Sequence, residues 1–462
     1  MCISREIFRA YDIRGVIGRD LFPDIITRAS AIFANIILET GGKNVTLAGD
    51  GRTSTDMLMS AAASGIVSGG CNVYITGKIP ISVANFVTWR RKDMHGGAYI
   101  TASHNPPEYN GIRFRHADGT GFAEENQEIK RRFFENEIKF ANWDELGSIY
   151  TLNPELIIDE YLDFVSSLGF KAERKIKILI DTRNGIAGII VPKLFTNLGF
   201  DVVPINVNVD GRFPAGDPDP VHADLSKTLE IVKTTHVSMA IAYDGDGDRA
   251  VMIDKKGRKF PAEAVAIVLA REILKPGDTI VYNVACSSML REVLEEEGFK
   301  CVECRVGDVF VAKKLKATNA KFGVEGSYHF FPSWLGFYYD DAILVSAIFA
   351  SLISRINKSL DELYDELKPW PMIKENISVS DEIKWVVIDY IKEKLLKMYD
   401  NVSTIDGIKI YFDGASVLIR PSNTEPKIRV FTEAKNPDTA MRLHKTFKKI
   451  VLDTISEVKQ YR

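Results

Sequence analysis

"KNVTLAGD" (Lys43–Asp50) and "GGCNVYITG" (Gly69–Gly77) are two short apolar strands, the first ending on a polar residue, with a segment of helix length between them. The same plan returns in "KIKILID" (Lys175–Asp181) followed by "LGFDVVPIN" (Leu198–Asn206), and again in "GDTIVYN" (Gly277–Asn283) followed by "EGFKCVECRVG" (Glu297–Gly307). Strand, helix, strand is a βαβ unit, and its threefold recurrence predicts three related α/β domains with mixed, largely parallel sheets. Charge-rich helical sequence around Phe133–Ser148, the "KKGRKF" turn at Lys255–Phe260 and the two prolines of "LKPWPMIKENISV" (Leu367–Val379) mark the breaks. Beyond the last break the plan changes to a helix near Asp381–Tyr399, three strands and a terminal helix. This predicts a smaller α+β domain with an antiparallel sheet. The expected boundaries are 1–148, 149–252, 253–368 and 369–462.

A chain of 462 residues is long enough for several cores. Its 45% apolar and 26% charged residues are those of an ordinary globular protein. A formal charge of -3 offers no electrostatic footprint for nucleic acid or an anionic membrane surface. The longest apolar stretch, Ala342–Ile353, falls short of the ~20 residues that cross a bilayer and reads as a buried helix. Arg5, Glu6 and Arg9 interrupt any signal-peptide pattern, so a cytoplasmic protein is expected. Five cysteines are too few for a disulfide framework. Cys301 and Cys304 sit three apart on a strand, facing opposite sides, which argues against zinc.

Three stretches carry chemistry. In "DGDGDR" (Asp244–Arg249) glycines let an extended loop turn three carboxylates inward, an oxygen-only ligand set suited to Mg²⁺. An EF-hand is excluded, because its pattern needs Gly where Arg249 stands and Glu where Lys255 stands. A solvated acidic hairpin is the plain alternative. "RPSNTEPKIR" (Arg420–Arg429) gathers guanidinium, hydroxyl and amide donors on a proline-stiffened loop, which suits a phosphate dianion or, more simply, an ordinary polar loop. "TASHNPPEYNGIRF" (Thr101–Phe114) builds turn chemistry around Ser103 and His104. Taken alone it could be mere loop polarity. Beside a metal-ready triplet and a phosphate-ready loop, it suits a serine that carries phosphate on a rigid loop.

With "FRAYDIRG" (Phe8–Gly15) added, these motifs in this order resemble the α-D-phosphohexomutases, in particular the phosphomannomutase/phosphoglucomutase branch. The resemblance spans nearly the whole chain. It implies four domains around a central cleft: phosphoserine-bearing, metal-binding, sugar-binding and phosphate-binding in turn. It also implies interconversion of hexose 1-phosphate and 6-phosphate (mannose, glucose or both) through phosphorylated Ser103 and a hexose 1,6-bisphosphate, which would also prime Ser103. Mg²⁺ would be held by Asp244, Asp246, Asp248 and a phosphate oxygen on Ser103. Arg14, Arg249 and His104 would surround the transferring group, and Arg420, Ser422, Asn423, Thr424 and Arg429 would grip the other phosphate. Tyr11, Asp308, Glu325 and Ser327 would face the sugar. The partners implied are small sugar phosphates, with the chain a monomer or homodimer.

Two positions depart from the family. Arg113 stands where many relatives have a lysine acid/base, and arginine stays protonated, so either His104 or His329 moves the proton or turnover is slower than in those relatives. In "VEGSYHF" (Val324–Phe330), Val324 and Tyr328 replace glycines of the sugar loop, which bears on the choice of sugar. Phosphoglucosamine mutase is the alternative activity. A non-catalytic sugar-phosphate binding protein and a metal-dependent phosphatase are the alternatives of other classes.

Overall fold

The computed structural model describes residues 3–422 and 426–460. Two compact units emerge, Met1–Phe260 with Ser327–Leu363 and Pro261–Gly326 with Tyr364–Arg462. In the first, strands β1 (Ile13–Val16), β2 (Asn44–Gly49), β3 (Asn72–Lys78), β4 (Gly96–Ile100), β5 (Tyr109–His116) and β6 (Ile149–Thr151) form a sheet of order β1-β5-β4-β2-β3-β6. The strands β4, β2, β3 and β6 run parallel, while β5 is antiparallel to both β4 and β1. The apolar side chains of β2 (Val45, Leu47) and of the helix Pro23–Glu39 meet in one core, where Phe33 stacks on Phe114 with ring centroids 4.5 Å apart. Because β4 and β5 are antiparallel neighbours, the serine loop closes between two rigid strands at the sheet's end.

The second sheet of this unit contains β7 (Lys177–Asp181), β8 (Asp201–Ile205), β9 (Met239–Tyr243) and β10 (Ala250–Asp254), in the order β10-β9-β7-β8. β7 is parallel to β8 and β9, whereas β9 and β10 are antiparallel and pair Tyr243 with Ala250. The aspartate loop is thus the tip of a buried hairpin. The apolar stretch noted above forms the helix Ala342–Arg355, which packs on β10 and is capped by Asp341 accepting from the Leu344 N–H at 2.9 Å.

In the other unit, β11 (Thr279–Asn283), β12 (Lys300–Cys304) and β13 (Phe322–Val324) pair in parallel in the order β12-β11-β13. A two-residue strand, β14 (Phe330–Phe331), follows in the stretch of chain that belongs to the first unit. The C-terminal sheet is antiparallel throughout: β15 (Met372–Ser378), β16 (Val402–Ser403), β17 (Ile408–Phe412), β18 (Ala415–Pro421) and β19 (Lys427–Ala434), in the order β15-β19-β18-β17-β16. Its core joins Ile410, Val417 and Val430 to Val387 and Val451 of two covering helices. The α/β plan with a distinct C-terminal sheet is therefore the architecture found.

One expectation changes. The bridge at Phe133–Ser148 is not helical beyond Glu135, because Asn136 adopts the left-handed conformation (φ 56°) that ends the helix Glu124–Glu135. The chain then runs without regular structure to β6. Among the described residues, no single helix is long and apolar enough to cross a membrane. Cys301 and Cys304 are free thiols.

Candidate functional site

Ser103 follows β4 by three residues and is held at φ 50°, a conformation uncommon for any residue but glycine. Its Oγ lies 3.2 Å from His104 Nδ1 and 3.3 Å from Asp244 Oδ2, so the serine loop and the aspartate hairpin meet at the hydroxyl. A glycine makes this approach possible. A Cβ on Gly245 would stand 2.6 Å from the Ser103 carbonyl oxygen. Thr101 adds a second tie, since its Oγ1 accepts from the Ser103 N–H at 2.7 Å and lies 3.0 Å from Asp246 Oδ2.

Asp244, Asp246 and Asp248 are buried, and each offers an oxygen within 4.8 Å of the others. Asp244 Oδ1 accepts from the N–H groups of Gly247 and Arg249, each at 3.1 Å, which shapes the loop. Burial and the neighbouring Asp248 and Asp246 push the Asp244 carboxyl well above its usual range. Burial, with Asp248 and Asp50, pushes Asp246 up to about 6. For Asp248 burial acts in the same direction, but His329 at 3.3 Å and the guanidiniums of Arg249 and Arg113 outweigh it and hold the carboxyl well below normal. Among the described residues, Asp246 Oδ1 is buried without a hydrogen-bond donor, and the Asp248 oxygens face only the long approaches of His329 (3.3 Å) and Arg113 (3.5 Å). A divalent cation bound by oxygen ligands would satisfy these atoms and relieve the repulsion, so the residues present fit such a metal.

Cationic groups surround the triplet. Arg113, on β5, places Nη1 3.5 Å from Asp248 Oδ2, with the Tyr11 ring centroid 5.8 Å from its guanidinium carbon. Arg14, on β1, donates to Asn105 Oδ1 and to Asp12 Oδ2, each at 2.6 Å. Arg249 Nε is 3.4 Å from His329 Nε2 and 3.9 Å from Asp244 Oδ2. The Ser327 hydroxyl lies 3.0 Å from His329 Nδ1. Burial and the charges of Arg249 and Arg14 hold the His104 imidazole well below its usual range.

The remaining candidates lie in the second unit. Asp308 and Glu325 follow β12 and β13, and Asn283 ends β11, so all three stand at carboxyl ends of parallel strands, where open α/β sheets bind ligands. Glu325 is buried, its Oε1 accepting from Asn283 Nδ2 at 2.6 Å and the Gly307 N–H at 2.8 Å. Arg420 and Arg429 are directly opposed across β18 and β19. Like charges in that register repel, and Asp406 Oδ2 compensates Arg420 at 3.0 Å. Arg429 Nη2 donates to Ser422 Oγ at 3.4 Å. Asn423 and Thr424 lie outside the described residues.

Four family models of the phosphoglucomutase/phosphomannomutase type match consecutive parts of the chain: α/β/α domain I over residues 5–139, domain II over 159–257, domain III over 261–370 and the C-terminal domain over 375–450. The chain belongs to the α-D-phosphohexomutase superfamily. It is 32% identical to a protein of Methanopyrus kandleri named "Probable phosphoglucosamine mutase", over 98% of this chain and 100% of that one. It is 33% identical to the phosphoglucomutase/phosphomannomutase of Thermococcus kodakarensis, over 94% and 96% of the two chains. Further archaeal relatives at 29–33% identity carry the phosphoglucosamine mutase name. A crystal structure of a phosphoglucomutase/phosphomannomutase family protein from Burkholderia thailandensis superposes with a TM-score of 0.88 at 28% identity, covering 98% of each chain.

Within this phosphohexomutase, several residues of the site escape a reading of motifs. Asp219 Oδ1 lies 3.7 Å from Arg249 Nη1, and its Oδ2 lies 2.8 Å from His222 Nδ1. Asp340 Oδ2 is 3.9 Å from His329 Nε2. Asp50 and Arg52 underlie the serine loop. The signal available for Asp50 was its place at the end of a parallel strand. Tyr328, in the sugar loop, has φ 69°, so a bulky residue keeps a backbone shape natural to glycine.

Proposed function

We propose that this phosphohexomutase carries a phosphoryl group on Ser103 and interconverts the 1- and 6-phosphates of a hexose, with glucosamine phosphate the first substrate to test. The carrying observation is the Ser103 hydroxyl, in a left-handed loop, 3.3 Å from the first of three buried carboxylates. A solvated acidic hairpin would present those carboxylates to water, and all three are buried.

In the forward half-reaction the Ser103 Oγ–P bond breaks and a new O–P bond forms to a sugar hydroxyl, giving a hexose 1,6-bisphosphate. The hydroxyl proton passes to a base. Arg113 stays protonated and donates instead, which leaves the two imidazoles. His329, held by Ser327 on one ring nitrogen and facing Asp248 with the other, is favoured as the base for the sugar hydroxyl proton, and the serine oxygen released as its bond to phosphorus breaks takes up a proton beside His104 Nδ1, 3.2 Å away. The bisphosphate turns end for end, and its other phosphoryl group returns to Ser103. Asp244, Asp246 and Asp248 would hold Mg²⁺, which when bound neutralises charge on the phosphoryl group. Arg249 and Arg14 supply donors for charge that develops in the transition state. Arg420, Ser422 and Arg429 suit the phosphate that is not reacting.

The order of substrates follows the relatives. Most of those described above carry the phosphoglucosamine mutase name, which favours the amino sugar over the mannose and glucose phosphates that the Tyr11–Gly15 motif suggests. The Thermococcus kodakarensis relative keeps glucose and mannose phosphates as the second reading. Turnover of glucosamine, glucose and mannose 1-phosphates with a catalytic amount of the matching bisphosphate ranks the three. Activity that survives in Ser103→Ala would exclude the phosphoserine route.

A further inference from the structure

Arg52 is fully buried, and the five N–H donors of its guanidinium match five bonds. Nη1 donates to the carbonyls of Pro106 (2.7 Å) and Tyr109 (3.0 Å), and Nη2 to those of Ser103 (2.8 Å) and Asn105 (2.5 Å). Nε donates to Asp50 Oδ2 at 3.2 Å. Four of the five acceptors are therefore carbonyls of the serine loop, which lies about fifty residues further along the chain. The Phe213 ring covers the guanidinium with its centroid 5.1 Å away. Asp50 in turn meets the hydroxyls of Thr55 and Thr101, each at 2.8 Å. Thr101 Oγ1 then accepts the Ser103 N–H and approaches Asp246. Both peptide groups of Ser103 are thus fixed by one network, its carbonyl through Arg52 and its N–H through Thr101.

We propose that Arg52 is a positioning residue that holds the serine loop in one geometry through both halves of the phosphoryl cycle, and that Asp50 and Thr101 register this loop against the aspartate hairpin. The inference rests on the phosphoserine reading. The physical reason is the change in charge. A phosphoryl group adds about -1.5 to -2 at neutral pH, and each half-reaction removes or restores it. A loop fixed by neutral bonds alone would relax between the two states, whereas a fixed positive charge polarises four carbonyls toward itself in both. Misplacement of the nucleophile by about 1 Å is enough to cost ~100-fold in rate.

Arg52→Lys and Thr101→Val separate a positioning role from a merely structural one, with Thr101→Ser as the conservative rescue. Lysine has three donors and cannot serve four carbonyls and Asp50. For Arg52→Lys the expected result is a kcat lower by ~100-fold with KM for the hexose 1-phosphate within about threefold. Thr101→Val is expected to lose about tenfold in kcat, and Thr101→Ser to recover most of it. Hydrogen exchange of the 101–109 peptide, read without any sugar, should quicken in Arg52→Lys and Thr101→Val. If Arg52→Lys does not fold, Thr101→Val decides. Lower melting temperatures with kcat within about twofold of the parent would reduce the network to a structural brace and overturn the proposal, as would unchanged exchange in Thr101→Val. A parent protein inactive on every sugar phosphate would sink the functional reading instead, leaving the exchange data to judge whether the network holds the serine loop.

Discussion

Replacing Gly245 by alanine tests the meeting of the two loops without touching a polar group. The new methyl would lie 2.6 Å from the Ser103 carbonyl oxygen, where Cβ contacts below 3.0 Å essentially do not occur and 3.4 Å is ordinary. The loops must part by about 0.4 to 0.8 Å, the difference between those values and the starting distance. Neither side yields easily, because the acceptor is backbone and is itself bonded to Arg52 at 2.8 Å. If a 1 Å displacement costs ~100-fold, this one should lower kcat by about tenfold or more, with about 1 to 3 kcal/mol of stability lost to overpacking. Gly41→Ala supplies the control. Gly41 has φ 82° and nothing within 4 Å of where an added methyl would sit, so alanine there costs ~1 kcal/mol through backbone strain alone. Steady-state kinetics and thermal melts of both variants are the assay. A Gly245→Ala enzyme that keeps more than half the parent kcat while melting no lower than the control would refute the close approach of serine and aspartates.

Four further variants have expected outcomes. Burial pushes the Asp341 carboxyl up to about 7, although the Leu344 N–H and the Tyr161 hydroxyl both bond to it. Its stabilising contribution is therefore full below about pH 4, the ordinary value of an unfolded aspartate, and is lost as pH rises through about 7. Asp341→Asn should gain on the parent between about pH 4 and 7, by at most ~4 kcal/mol, and a pH-independent difference in calorimetric melts would contradict this. His329→Gln should lower kcat by ~100-fold or more, and Arg113→Lys, which keeps a positive charge near Asp248, by much less; comparable losses in steady-state kinetics would contradict the proton role of His329. Arg420→Lys loses the fork that binds Asp406 through Nε and Nη2, so KM for the sugar phosphate should rise about tenfold with a smaller change in kcat. Equal KM values would show that Arg420 does not hold the substrate's phosphate.

What the sequence revealed and what it hid follow from the range of the interactions. The βαβ plan and the antiparallel C-terminal sheet were legible because alternation of apolar residues and turn residues is local. The aspartate triplet, which the fold buries together, was legible as a carboxylate cluster because its three residues lie within five positions of one another. Asp219, Asp340 and Arg52 were not. Arg52 bonds mainly to carbonyl oxygens, which every residue possesses, so no side-chain pattern announces the pairing. Asp219 and Asp340 act on Arg249 and His329, and only tertiary packing brings them there. The non-helical stretch after Glu135 was hidden for the opposite reason: its charge pattern suits a helix, and one left-handed asparagine ends it.

The most direct test of the central claim is a single-turnover transfer experiment. Protein whose Ser103 has been labelled with ³²P from a labelled hexose bisphosphate is mixed with excess unlabelled hexose 1-phosphate, and the label is followed on protein and sugar. If Ser103 carries the phosphoryl group, the label leaves it for the sugar at a rate no slower than turnover, and Ser103→Ala never acquires it. Label that stays on the protein through many turnovers, or that appears only as free phosphate, would contradict it.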